Sequence, residues 1–206
     1  MTQELEQLAN ALNGKSNLRN TFDKCISILA DNGWYISKTM SIGNIFNSTT
    51  IVIKEGKEAI DKAMCNYYKN NFSRVIDEFI SDFPERKEII KQAKKCHDKK
   101  MFFASTILFT SQADGICEGF LFKIKRKRKD GLKSYLEKNN APDYITKLLI
   151  EIRGIDAFFE DNHLYNSDFN RHGIMHGLDN EYGNEINSYK ALSLLSFVSN
   201  LFTRNN

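Results

Sequence analysis

Proline is nearly missing from this 206-residue chain, which contains only Pro84 and Pro142. Both stand where a helix can begin, because a ring-fixed φ suits the first helical position and the missing N–H is not needed there. Such scarcity leaves long stretches free to be helical. Cysteine is sparse as well: Cys25, Cys65, Cys96 and Cys117 lie far apart and form no C-x-x-C pair. Cys25 and Cys117 have apolar neighbours, among which a thiol behaves as a small hydrophobe, so reduced thiols are expected. No run of about eighteen apolar residues exists, which excludes a membrane-spanning helix. Met1 to Glu6 begins acidic, without the basic-then-apolar order of a signal peptide, and a cytoplasmic protein is expected.

Several catalytic motifs are also missing. There is no Gly-rich loop ending in Gly-Lys-Ser or Gly-Lys-Thr, and the pairs Gly115/Gly119 and Gly173/Gly177 have the wrong spacing to cradle phosphates. No nucleophile-elbow serine and no His-Glu-x-x-His metal motif occur. P-loop nucleotide hydrolysis and elbow-type serine catalysis are therefore left without their parts.

Hydrophobic residues make up 41% of the chain, enough for a real core. The net charge of +3 hides an asymmetry: Arg86 to Lys133 holds 14 Lys/Arg against 5 Asp/Glu, and the remainder is acidic. Lys123, Lys125, Arg126, Lys127, Arg128 and Lys129 are packed into seven positions, ahead of the turn signal Asp130-Gly131. Charges this dense must face water or an anion, so the run reads either as a phosphate rail for RNA or as a solvated interhelical loop.

Apolar periodicity predicts an all-α fold. Phe22, Cys25, Ile26 and Leu29 mark a helix from about Asn17 to Asn32. Ser37 to Thr50, rich in Ser, Thr, Asn and Gly, reads as an irregular linker or lid, with Ile51-Val52-Ile53 as a short strand. A long helix follows from Gly56 to near Pro84, and a basic amphipathic helix comes after it. Met101 to Phe122 is apolar nearly all round and belongs in the middle of a bundle or at a subunit interface. Ala141-Pro142 opens a helix whose stripe runs from Ile145 to Phe159. Asn187 or Ser188 caps a final apolar helix. We expect an N-terminal, mainly helical region over 1–84 and a bundle of about four or five helices over 85–206.

Two of the four histidines stand beside an arginine in Asn170-Arg171-His172-Gly173-Ile174-Met175-His176-Gly177. Arginine offers a permanently charged fork that matches phosphate oxygens, and histidine exchanges a proton near neutral pH. On a regular helix His172 and His176 would share a face, whereas Arg171 and His176 would point about 140° apart. The two histidines also permit a zinc site, with a third ligand from His163, Asp168 or Glu160, or an ordinary structural role. Asp114 and Glu118, four apart on the apolar helix, would share a face, and Asp114 is expected to pair with Arg171 or His172.

An arginine followed by a polar residue, then a histidine five positions on followed by glycine, resembles the signature of the HEPN superfamily, here Arg171, His172, His176 and Gly177. The Phe83-Pro84-Glu85-Arg86 lead-in, the Asp114-Gly115-Ile116 step, and Tyr182-Gly183 with Asn187-Ser188 add to the resemblance. It implies a helical bundle, a metal-independent endoribonuclease without cofactors, and a bacterial or phage toxin or defence role. It also implies a homodimer in which two motif copies meet, with RNA and a cognate antitoxin or regulatory protein as partners. Within it Arg171, His176 and His172 are the catalytic candidates, and Asn170, Asp114, Glu118 and Tyr182 support them. A non-catalytic RNA- or protein-binding module with the same helices is the alternative.

Overall fold

The computed structural model describes residues 18–122, 125–141, 143–151 and 153–200. Helix α1, Leu18–Asp31, buries Cys25, Ile26, Leu29 and Ala30 on one side, as its periodicity predicts. Helix α2, Ile42–Glu55, occupies the stretch expected to be irregular and absorbs the expected strand. Local chemistry explains the difference. Ser41 caps the first turn by accepting from the Asn44 amide at 3.2 Å, and the hydroxyls of Thr49 and Thr50 are satisfied by the carbonyls of Ile45 and Phe46. Packing on both α1 and α3 then outweighs the poor helix propensity of β-branched residues.

Helix α3, Lys57–Asp82, ends before Pro84, where a 3₁₀ turn, Pro84–Arg86, leads into α4, Lys87–Asp98. Helix α5, Phe102–Ile116, is shorter than expected, because Cys117 leaves the helix and Glu118 adopts φ 51°. Helix α6, Lys125–Lys138, runs straight through the expected loop and the Asp130-Gly131 turn signal. Leu132 and Leu136, one turn apart and fully buried, anchor it. Helix α7, Asp143–Ile150, stops early, so Ile155 and Phe159 fall in the 3₁₀ turns Gly154–Asp156 and Phe159–Leu164 rather than on its stripe. A five-residue helix, α8, Arg171–Met175, precedes α9, Glu185–Ser199, which is capped by Asn184 rather than Asn187 or Ser188. Every regular element among the described residues is helical, so the fold is all-α. None of these helices is long and apolar enough to cross a membrane.

The most enclosed element is α9, in which every residue from Asn187 to Ser199 is buried. It packs lengthwise on α5 and also touches α3. Small residues allow the close approach: α5 turns Ser105, Thr106, Thr110 and Ala113 inward, and Ser105 meets Ser188 of α9 at 2.7 Å. The same Ser188 hydroxyl lies 2.8 Å from Nδ1 of His97, whose ring sits among Phe72, Phe102 and Tyr189. Burial holds His97 below its ordinary value, against opposing influence from Glu185 and Asp98.

A charge also lies inside. Lys190, 1% exposed, places Nζ 3.1 Å from Asp61 of α3, and Asp61 accepts from Trp34 Nε1 at 2.7 Å. Trp34 also presents its ring to the ammonium at 5.4 Å. Burial depresses the Lys190 pKa, and the Asp61 charge opposes that shift. One hydrophobic cluster runs from Cys25 to Val198 and crosses the boundary expected after residue 84.

Candidate functional site

The loop that delivers the motif is fastened at several points. Arg153, 5% exposed, bridges to Asp31 of α1 and to Glu151, and donates to Ser27 Oγ at 3.1 Å. Lys57, the first residue of α3, pairs with Asp168. Asn170 is fully buried. Its side-chain nitrogen donates to the carbonyls of Gly154 and Ala157 at 2.7 and 3.1 Å, and its oxygen accepts from the Gly173 amide at 2.6 Å. One side chain therefore caps α8 and ties it to the preceding turn. Asn170, a supporting candidate under the resemblance, directs all three of these bonds at backbone and so positions the motif.

Two glycines make the short helix workable. A Cβ on Gly173 would fall 2.3 Å from the Phe159 ring, which lies directly against the helix backbone. Gly177 takes φ 68°, the left-handed conformation that ends α8 just after the C-capping His176.

The histidines come together. Their ring centroids are 4.6 Å apart with planes inclined at 52°, and His176 is exposed. His172 is half-buried, stands edge-on to Phe158 at 5.3 Å, and has Nδ1 buried with no hydrogen-bond partner among the described residues. Arg171 takes a different neighbour: its guanidinium carbon lies 5.0 Å from the centroid of Phe122.

Asp114 contributes through that same phenylalanine, accepting its backbone amide at 3.3 Å. Among the described residues no ion pair joins Asp114 to Arg171 or His172, so the expected pairing is replaced by support of the Arg171 shelf. Glu118 does not share a helix face with Asp114, since α5 ends at Ile116; it is exposed, and its charge adds to the burial that pushes the Tyr135 phenol up to about 12. Tyr182 packs edge-on against Phe103 of α5 at 4.9 Å, and burial, then Asp179, raises its phenol. Lys123 lies outside the described residues, as do the side chains of Lys125, Arg126, Lys127, Arg128 and Lys129, whose backbone opens α6.

Among the described residues no three His, Cys, Asp or Glu side chains are grouped to hold a metal. The ligands considered for zinc have other contacts: His163 Nδ1 meets the Glu160 carbonyl at 2.9 Å, and Asp168 holds Lys57. Phe122, Phe158 and Phe159 surround the motif without having been anticipated as site residues. The aromatic doublet Phe158-Phe159 ahead of four polar residues was the available signal, and the apparent stripe of α7 concealed it. Compared with protein-family models, curated proteins and solved structures, the chain matches none.

Proposed function

We propose that this protein is a metal-independent endoribonuclease of HEPN type, acting as a toxin or anti-phage effector. The observation that carries the reading is the His172–His176 pair, 4.6 Å between ring centroids, with one member open to solvent and Arg171 adjacent in sequence. In the proposed reaction the ribose 2′-hydroxyl attacks its own neighbouring phosphorus, so the protein supplies no nucleophile. His176 takes the 2′-hydroxyl proton, and His172 returns a proton to the 5′-oxygen as the P–O5′ bond breaks. Arg171 neutralises charge growing on the phosphoryl oxygens. A 2′,3′-cyclic phosphate and a 5′-hydroxyl result.

Pure protein should cleave single-stranded RNA in EDTA, and Arg171→Ala or His176→Ala should slow cleavage by at least about a hundredfold without unfolding the chain. Activity that vanishes in EDTA and returns with a divalent ion would overturn the mechanism. In a homodimer, one copy's Arg171 would join the other's histidines; mixing the two inactive variants would then restore partial cleavage. A cognate antitoxin would act by covering α8 or separating the copies.

The seating of Arg171 on Phe122 favours a second reading, in which the arginine is structural and the helices form a non-catalytic RNA- or protein-binding module. Binding without cleavage by wild-type protein would select it.

A further inference from the structure

We infer that the outer face of α4 and the turn after it anchor the phosphate backbone of RNA, holding the strand that runs out from the histidine pair; this rests on the RNA reading above. Lys87, Lys91, Lys95 and Lys99 recur every four residues, are all exposed, and are turned away from the face that buries Ile90, Ala93 and His97. Successive members stand about 6 Å apart along the helix axis, so the row is about 18 Å long. Among the described residues none of the four, nor Lys100, makes an ion pair or a side-chain hydrogen bond. Lys94 is already paired with Asp98 and rests over the Phe72 ring. Glu88 is then the one acid of α4 outside an ion pair among the described residues, so the face is strongly cationic.

Helix stability does not account for two of these lysines. Lys87 opens α4, at the end where the helix dipole disfavours a cation. Lys100 adopts φ 60°, the left-handed conformation in which glycine is favoured. The turn around it is firmly closed, with the Lys100 amide donating to the His97 carbonyl and the Met101 amide to the Cys96 carbonyl, both at 2.8 Å. Met101 and Phe103, just beyond, are 53% and 50% exposed. The row thus runs into exposed apolar side chains, and a single nucleic-acid strand offers both phosphates and bases. Its placement favours RNA over an acidic protein. Arg86, beside Lys87, donates to the Gly115 carbonyl near the end of α5, where Asp114 holds Phe122 under Arg171. Lys99 and Lys100 lead instead into the start of α5, where Phe103 meets Tyr182. Along α5, therefore, the row begins at the level of the motif and leads away from it, as a strand leaving the site would.

The test uses the full chain carrying His176→Ala, which keeps RNA intact, with Lys91→Gln, Lys95→Gln and Lys99→Gln combined. Its control combines Lys24→Gln, Lys62→Gln and Lys69→Gln, three exposed lysines of α1 and α3 that remove the same charge elsewhere. The probe is a fluorescent oligouridylate of about twenty nucleotides, titrated over a range of salt concentrations. The row variant should bind at least about fivefold more weakly and lose about 2 from the slope of log affinity against log salt, roughly 0.7 for each lost phosphate contact. The control should keep the slope of the parent protein. An unchanged slope in the row variant overturns the anchor and leaves an acidic protein as the partner of these lysines. An equal drop in the control overturns it too, as a general effect of charge. RNA held through the row by wild-type protein that never cleaves keeps the anchor and removes the catalytic reading; absence of any RNA binding removes both.

Discussion

Lys190 is a cation withdrawn from water, tolerated because Asp61 and the Trp34 ring replace its hydration. Removing one partner strands the other. Lys190→Ala should therefore lower unfolding free energy by about 3–5 kcal/mol in a denaturant titration, whereas Lys190→Met with Asp61→Leu should recover most of that loss. A single variant no less stable than wild type would show the pair to be dispensable. The sequence carried one trace of this arrangement, since Lys190 is the only charged residue between Glu185 and Arg204. Asp61 carried none; among Glu58, Lys62 and other charged neighbours it resembles any helix-surface acid. The motif shows the same split. Arg171, His172 and His176 are conspicuous as residue types, but the inward turn of Asn170 depends on carbonyls at 154 and 157 that only the folded loop brings near.

Helices α1, α3 and α4, whose apolar positions recur near the helical period, were legible almost to their ends, because that period is a property of the chain itself. Helix α2 was not. Its Asn, Ser and Thr content argues for a loop locally, and only burial of Ile45, Ser48 and Thr49 reverses that preference. Helix α6 misled for another reason, since a dense basic run followed by Asp-Gly looks like a solvated turn until Leu132 and Leu136 are given a core to enter. The backbone of that run, from Lys125 onward, opens the helix. If it guides RNA, neutralising three of Lys125, Arg126, Lys127, Arg128 and Lys129 should weaken binding and reduce the slope of log affinity against log salt by roughly 0.7 per lost single-strand phosphate contact. An unchanged slope, measured by fluorescence anisotropy, would return the run to a solvated surface role.

Across the whole molecule, His97 joins α4 to α5 and α9 through Ser188 and Ser105, and its ring also meets Phe72 of α3. Its folded pKa lies below the ordinary 6.5, through burial first, with Glu185 and Asp98 pulling upward and Lys94 adding to the depression. The unfolded chain therefore takes up the proton more readily than the fold does. Stability is full above about 6.5 and declines as pH falls through the lowered folded value. Thermal melts should show this decline in wild type and a smaller one in His97→Gln, which keeps a hydrogen-bonding amide without the titration; parallel pH profiles for the two would sink the assignment. The order of the elements has a further consequence. Helix α9, which α5 and α3 both pack against, is the last of the described helices to leave the ribosome. Translation at about 5–20 residues per second leaves the earlier helices for some seconds around a vacant axis, with their inward faces open to chaperones. The bundle closes like an arch whose keystone is delivered last.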